Sequence, residues 1–195
     1  MEPQSADPIL AEAPIPAVDD ADERQPSTPL VVITGPRQAG KTTACRRIAA
    51  AAAARGWTVA GVLAPALFQG GRKVGIMATD LRSGESRLLA TPRSAADGGL
   101  GYEFDEGTLA WADGVVASAV PCDLLVVDEI GPLELATGRG LVSALAVLRG
   151  GMYRRAVVVV RPELVAVFEA TVGLPCRVAR VGGLSLPHAF LDAQE

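Results

Sequence analysis

The feature that most constrains the fold is a glycine-rich turn between an apolar run and a stretch of helix-forming residues. Residues 30–34 read Leu-Val-Val-Ile-Thr, a run typical of a strand buried on both faces. Residues 35–40 read Gly-Pro-Arg-Gln-Ala-Gly, and Lys41 begins an alanine-rich stretch that ends at Gly56, where a capping glycine is expected. The sequence therefore predicts a strand, a glycine loop and a helix in direct succession.

Apolar runs alternate with helical patterns along the rest of the chain. The predicted strands cover 58–63, 123–129, 156–160 and 177–181, and the predicted helices cover 106–119, 133–148 and 162–171. The turn signals Gly70-Gly71 and Ser83-Gly84 separate short alternating segments between 67 and 90, which predicts an inserted antiparallel hairpin or meander, and a loop is expected over 91–101. Buried strands that alternate with helices predict an α/β fold with a mostly parallel sheet covered on both faces.

Charge divides the chain near residue 28. Residues 1–28 hold seven acidic side chains and one arginine, so their net charge is −6, whereas the remainder has 17 bases and 15 acids, a net charge of +2. The first segment is rich in Pro and Ala and has no hydrophobic period, which predicts a disordered acidic tail over 1–28 and one domain over 29–195. An acidic docking arm is the alternative for the tail. The near-neutral domain makes nucleic acid an improbable partner.

Composition also bears on the compartment. No apolar segment approaches the roughly 18–20 residues that a membrane-spanning helix needs, and no secretory signal pattern begins the chain. The three cysteines, Cys45, Cys122 and Cys176, are scattered, and the one histidine is His188, which disfavours a disulfide framework and a zinc site. We therefore expect a cytoplasmic protein that does not bind membranes.

The turn fits the phosphate-binding loop motif, Gly35-x-x-x-x-Gly40-Lys41-Thr42, in the required context between strand and helix. Backbone amides in such a loop cradle phosphate oxygens, aided by the positive end of the helix. Lys41 is expected to reach the β- and γ-phosphates, and the Thr42 hydroxyl to ligate Mg²⁺. The alternative is a glycine turn with an exposed lysine. The predicted nucleotide-binding residues are Gly35, Pro36, Arg37, Gln38, Ala39, Gly40, Lys41, Thr42 and Thr43.

Two carboxylates end the predicted strand 123–129. Ligands of such sheets bind beyond the carboxyl ends of the strands, so Asp128 is expected beside the phosphate loop as a Mg²⁺ ligand. Glu129 is expected to orient and deprotonate the water that attacks the γ-phosphate. A helix-capping or surface role is the alternative for Glu129.

Arginines can stabilise charge on a transferring phosphoryl group. Arg161 follows the predicted strand 156–160 and is the first candidate for this catalytic role, with a surface position before the next helix as its alternative. Further candidates, acting in cis or in trans, are Arg37, Arg72, Arg82, Arg93 and Arg139.

Two residue types that the sequence lacks at expected places bear on the nucleotide and on the phosphoryl acceptor. The chain contains no asparagine, so the Asn-Lys-x-Asp guanine motif of Ras-like GTPases is missing, which favours broad base tolerance or ATP. Residues 62–66 contain no acid, whereas many small-molecule kinases of this fold carry one after the second strand. Water is thus favoured as the phosphoryl acceptor. A small-molecule kinase and a non-catalytic nucleotide switch in cofactor assembly remain alternatives, and a protein partner is left open.

The run Asp128-Glu129-Ile130-Gly131-Pro132-Leu133-Glu134, together with residues 33–43, resembles the THEP-type family of small P-loop nucleoside-triphosphatases. The resemblance continues through residues 70–75, Gly84 and residues 89–90, and covers roughly residues 30–170. It implies a three-layer, RecA-like P-loop sheet with an inserted antiparallel pair, and Mg²⁺-dependent hydrolysis of ATP, GTP and other nucleoside triphosphates.

The resemblance also bears on single residues. It implies the roles given above for Lys41, Thr42, Asp128 and Glu129, and it suggests that Glu134 is a further polar residue near the site. The chain departs from the family pattern at Gln38-Ala39, which replaces a more glycine-rich loop centre. It departs again at residues 64–66, Ala-Pro-Ala, where many members carry Thr and Glu.

Overall fold

The computed structural model describes residues 29–93, 101–181 and Leu191. The predicted tail over 1–28 and most of the predicted loop over 91–101 lie outside these residues. In chain order the strands and helices are β1 (Leu30–Thr34), α1 (Lys41–Ala54), β2 (Val59–Leu63), β3 (Ala66–Gln69), β4 (Arg72–Asp80), β5 (Ser86–Pro92), β6 (Tyr102–Phe104), α2 (Glu106–Ala117), β7 (Cys122–Ile130), α3 (Ser143–Gly150), β8 (Tyr153–Val160), α4 (Val165–Val172) and β9 (Arg177–Arg180). A π-helical turn, Leu133–Thr137, follows β7, and a 3-10 turn, Pro162–Leu164, precedes α4.

The described strands form one sheet in the order β6-β5-β4-β2-β7-β8-β1-β9, and β3 pairs with β4. Strands β2, β7, β8, β1 and β9 run parallel to their neighbours in this part of the sheet. Strand β8 lies between β1, which leads into the glycine turn, and β7, which carries Asp128. This confirms the predicted α/β class with a RecA-like, mostly parallel P-loop sheet.

The antiparallel insert is larger than the hairpin or meander predicted over 67–90. It comprises β3 to β6, and β4 joins it to the parallel strands by pairing antiparallel with β2. Gly70 and Gly71, with φ of 55° and 76°, connect β3 to β4 in a turn that requires two left-handed residues. Residues 91 and 92 complete β5 rather than beginning a loop.

Helices cover both faces of the sheet. Along β1, Leu30 and Val32 pack in the core formed with α2, α3 and α4, while Val31 and Ile33 pack against α1. All four side chains are at most 3% exposed, and each fully buried aliphatic side chain contributes about 1.5–3 kcal/mol to folding. The resulting three layers hold the carboxyl ends of β1, β7 and β8 together at one edge.

The prediction of one continuous helix over 133–148 is wrong. The helical spacing of Leu141, Leu145 and Leu148 supports only the second half of this range. Before it lie two glycines, Gly138 and Gly140, whose φ values of 61° and 80° are left-handed. Such residues end a helix, so the chain forms the π-helical turn, a short loop and then α3. The helix predicted over 106–119 is confirmed as α2, capped by the Asp105 carboxylate, which accepts the Thr108 N–H at 2.7 Å.

None of the helices in the described part of the chain is both long and apolar enough to cross a membrane.

Candidate active site

The glycine turn carries the chain from the end of β1 into the first turn of α1. Gly40 is the N-cap residue with φ of 91°, and Gln38 adopts a left-handed φ of 63° although it is not a glycine. The first turn of α1 contains no acidic residue. Because the first amides of a helix lack intrahelical acceptors, this end of α1 presents N–H donors and a positive dipole to an anion.

Lys41 lies folded over the turn. Its Nζ donates hydrogen bonds to the carbonyl oxygens of Gly35 at 2.8 Å and Pro36 at 2.7 Å. The ammonium therefore lies against the backbone that the sequence motif assigns to phosphate binding.

Asp128 connects three elements at the carboxyl edge of the sheet. Its side chain is buried, with the residue 3% exposed, and its Oδ2 accepts the Ala64 N–H at 3.0 Å just beyond β2. The Thr42 side chain of α1 also hydrogen-bonds to this carboxylate. Burial raises the pKa of Asp128 above 3.8; the hydrogen bonds from Ala64 and Thr42 oppose this, the Glu129 charge adds to it, and the Lys41 charge opposes it. The structure thus brings the residues predicted as metal ligands into direct contact.

Ala64 is a site residue that the sequence analysis missed. It contributes only a backbone N–H, which every residue except proline provides, so no side-chain signal could have identified it. The contact with Asp128 needs no particular side chain at position 64, so it is compatible with the alanine that the chain carries there.

Glu129 lies in a β-bulge. Asp128 and Glu129 of β7 together oppose the single residue Val159 of β8, and bulges of this kind re-aim side chains beside active sites. Glu129 has a φ of 93°, and such a left-handed conformation is unfavourable for a non-glycine residue by about 1–3 kcal/mol. The surrounding structure must therefore hold this residue in place.

Arg161 contacts Glu129 directly. It follows β8, and its Nε donates a hydrogen bond to Glu129 Oε1 at 2.6 Å. The two side chains are 40% and 42% exposed. The structure therefore brings together two residues that the sequence analysis placed in the site by separate arguments.

Two other candidate arginines are engaged elsewhere. Arg82 donates to the carbonyl oxygens of Ser118 and Ala119, which ties the β4–β5 connection to the end of α2. Arg139 pairs with Glu106 at the start of α2. Both contacts serve the local fold.

Glu134 spans the loop that follows β7. Its Oε2 accepts the Gly131 N–H at 2.8 Å, and its Oε1 accepts the Leu141 N–H at 2.9 Å. It therefore binds backbone on both sides of the π-helical turn.

A family model described as NTPase matches residues 30–168. The chain belongs to this NTPase family. The matched segment begins at β1 and ends in α4, so it contains the glycine turn, the bulge at Asp128 and Glu129, and Arg161. The resemblance to the THEP-type family inferred from the sequence is confirmed.

Three similar proteins carry the name nucleoside-triphosphatase THEP1. That of Methanopyrus kandleri is 35% identical over 54% of this chain and 59% of its own length. That of Thermococcus kodakarensis is 34% identical over 53% and 61%, and that of Ignicoccus hospitalis is 34% identical over 62% and 69%. The alignment thus spans about three fifths of the length of the first two relatives.

Two solved structures share the fold. The solution structure of a human cancer-related nucleoside triphosphatase has a TM-score of 0.61 and 22% identity, and the match covers 83% of this chain and 93% of that one. The crystal structure of THEP1 from the hyperthermophile Aquifex aeolicus has a TM-score of 0.57 and 16% identity, with 78% and 89% covered.

Proposed function

We propose that this NTPase-family chain binds an Mg²⁺–nucleoside triphosphate and hydrolyses its γ-phosphate by attack of water. The observation that carries the proposal is the hydrogen bond between Thr42 of the phosphate loop and Asp128 of the bulge. It unites the two parts of the chain that the motif analysis assigned to phosphate and metal. The family match and the names of the relatives support the same activity.

The donor set at this contact fits Mg²⁺. Mg²⁺ takes oxygen ligands, and proteins bind it through one or two carboxylates completed by water and substrate phosphates. Thr42 and Asp128 would supply a hydroxyl and a carboxylate oxygen, and no group of three or more His, Cys, Asp or Glu side chains in the described ranges is arranged to hold a metal alone. When bound, the ion would neutralise charge on the β- and γ-phosphates.

The phosphate loop would bind the triphosphate itself. Backbone amides of residues 35–43 would hold the phosphate oxygens at the start of α1. The Lys41 ammonium, which contacts the Gly35 and Pro36 carbonyls, would exchange these neutral acceptors for charged phosphate oxygens, which form stronger hydrogen bonds with it.

Glu129 and Arg161 would act on the reacting groups. The Glu129 carboxylate would accept a proton from the attacking water. Arg161 uses Nε to hold Glu129 Oε1, and a guanidinium has five N–H donors in all. It would therefore orient Glu129 and, with its remaining donors, stabilise charge on the transferring phosphoryl group.

Sequence features support our proposals for the breadth of substrates and for the compartment. The absence of a guanine-reading motif supports hydrolysis of several nucleoside triphosphates. The three cysteines are all free, which supports the prediction of a reducing, cytoplasmic setting.

The proposal is tested by measuring phosphate release from ATP, GTP, CTP and UTP with and without Mg²⁺. We expect release from several nucleotides, loss of nucleotide binding in Lys41→Ala, and loss of turnover with retained binding in Glu129→Gln. Lys73→Ala is a matched control, since Lys73 is the chain's other lysine and lies over the Tyr102 ring at 4.7 Å on the insert. Glu103→Gln on β6 controls for Glu129→Gln.

Binding without phosphate release in the wild type would overturn hydrolysis. A phosphorylated small molecule among the products would instead identify a kinase. Turnover that survives Glu129→Gln would remove Glu129 from the mechanism.

A further inference from the structure

We propose that Glu134 is a positioning residue that fixes the backbone immediately after Glu129 and Ile130 and so keeps Glu129 in the geometry needed for catalysis. This inference rests on the proposed function, because it assigns Glu134 a role through Glu129. Glu134 is assigned no contact with substrate.

The contacts of Glu134 close the loop after β7 at both ends. One carboxylate oxygen accepts the Gly131 N–H and the other accepts the Leu141 N–H, at 2.8 and 2.9 Å. Hydrogen bonds to an ionised acceptor are stronger than neutral ones. A single side chain thus links Gly131, which directly follows β7, to Leu141, which lies two residues before α3.

Gly140 leaves room for this carboxylate. A Cβ atom on Gly140 would lie 2.0 Å from Glu134 Oε1 and 2.9 Å from its Cδ, and Gly140 also has a φ of 80°. Only glycine meets both requirements. Gly140 and Glu134 therefore form one unit, in which the glycine makes room for the carboxylate.

Glu129 needs such support because its conformation is unfavourable. Its φ of 93° lies in the left-handed region, and such residues persist where the surroundings over-determine them. Arg161 holds its side chain. On the backbone side, Ile130 is fully buried and paired with Val160, and Glu134 fixes the next residue, Gly131.

Loss of this support is expected to move Glu129 without disturbing the phosphate loop. A general base must lie within hydrogen-bond reach of the proton it removes. Neither of the two backbone amides that Glu134 binds belongs to residues 35–43, so the effect should fall on turnover and spare nucleotide affinity.

The first test is Glu134→Gln. Its amide has one oxygen acceptor, and its NH₂ group would face the other backbone N–H, so one of the two hydrogen bonds is lost. We expect kcat to fall by about 10- to 100-fold, with KM and nucleotide affinity little changed. In a Glu129→Gln background the same substitution should leave the residual rate of phosphate release unchanged, because it acts through Glu129. Glu103→Gln is the control.

Gly140→Ala is an independent second variant. It displaces the Glu134 carboxylate but changes no charge of the chain. We therefore expect it, too, to lower kcat and to leave nucleotide affinity little changed. A readout independent of turnover is amide hydrogen exchange by NMR. Exchange of the Gly131 or Leu141 amide should accelerate in Glu134→Gln, while the amides of β7 and β8 keep their protection and report an intact fold.

Turnover in the Glu129→Gln and Glu134→Gln variants distinguishes failure of the positioning role from failure of the proposed function. If Glu129→Gln abolishes turnover and Glu134→Gln keeps the wild-type kcat, the positioning role is wrong and the proposed function stands. Weakened nucleotide affinity, an additive loss in the Glu129→Gln background, or unchanged exchange at both amides would also overturn the positioning role. Wild-type turnover in Glu129→Gln would overturn the positioning role and the proposed role of Glu129, while hydrolysis itself would stand.

Discussion

Arg161 donates a hydrogen bond from its Nε to Oε1 of Glu129 across 2.6 Å. The two residues lie at the ends of neighbouring parallel strands: Arg161 directly follows β8, and Glu129 occupies the bulge near the end of β7. Both side chains are about 40% exposed, and ion pairs at such positions contribute roughly 0–1 kcal/mol to folding. The ion pair between Arg161 and Glu129 therefore adds little to folding stability. Its position at the carboxyl edge of the sheet favours a role in catalysis instead.

Replacement of Arg161 by alanine should reduce turnover far more than stability. If the guanidinium stabilises charge on the transferring phosphoryl group, Arg161→Ala should lower kcat by about 10²–10³-fold, as loss of one such donor does in other enzymes. Nucleotide affinity and the melting temperature should change little. Arg161→Lys should recover part of kcat, since it restores the charge without the planar fork. Steady-state kinetics and thermal unfolding measure both effects, and an unchanged kcat in Arg161→Ala would exclude the role.

Thr42→Val and Asp128→Asn should act on the same bound ion. Each should raise the Mg²⁺ concentration needed for half-maximal hydrolysis, because each removes one of the two proposed ligands. Their effects should not add in the double variant, since the two side chains are in contact. Titration of activity with Mg²⁺ checks this. Thr91→Val, an exposed threonine of β5, is the control; independent, additive effects would contradict a shared ion.

The parallel core was predictable because its signals are local. Continuous apolar runs identify β1, β7 and β8, whose side chains are buried on both faces, and the glycine turn follows β1 directly in sequence. The order of residue types alone placed Asp128 at the end of a buried strand. These features need no knowledge of which strands become neighbours.

The remaining site features depend on contacts between distant parts of the chain. The Ala64 amide meets Asp128 through the pairing of β2 with β7, and no side-chain pattern marks it. The bulge at Glu129 is defined by its partner strand β8. The helix predicted over 133–148 also missed the break between the π-helical turn and α3, which two left-handed glycines, Gly138 and Gly140, produce.

Two glycines should respond to alanine in opposite directions. In β2, a Cβ on Gly61 would lie 2.0 Å from the Val126 carbonyl oxygen, and Gly61 has a φ of 107°. Gly114 lies within α2, where an added Cβ would meet no atom within 4 Å, and it needs no left-handed conformation. Gly61→Ala should therefore prevent folding or lower stability severely, whereas Gly114→Ala should stabilise by about 0.5–1 kcal/mol. Chemical denaturation measures both; a tolerated Gly61→Ala would contradict the close approach of β2 and β7.

Alkaline pH should destabilise the protein partly through Cys122. Burial raises the pKa of this thiol from 9.0 to about 11, with the Arg82 charge opposing and the Asp123 charge adding to the shift. Between these values the folded chain keeps a proton that the unfolded chain has lost, so the free energy of unfolding falls as pH rises. The contribution should be about 1–2 kcal/mol by pH 11.

Urea unfolding of the wild type and Cys122→Ala between pH 8 and 11 isolates this effect from other groups that titrate in the same range. The difference in unfolding free energy between the two proteins should be constant near pH 8 and should shift in favour of Cys122→Ala above pH 9, because alanine has no proton to lose. Cys122 is 9% exposed, so the substitution removes the thiol from the edge of the core. Parallel pH profiles for the two proteins would show that Cys122 ionises alike in the folded and unfolded chains.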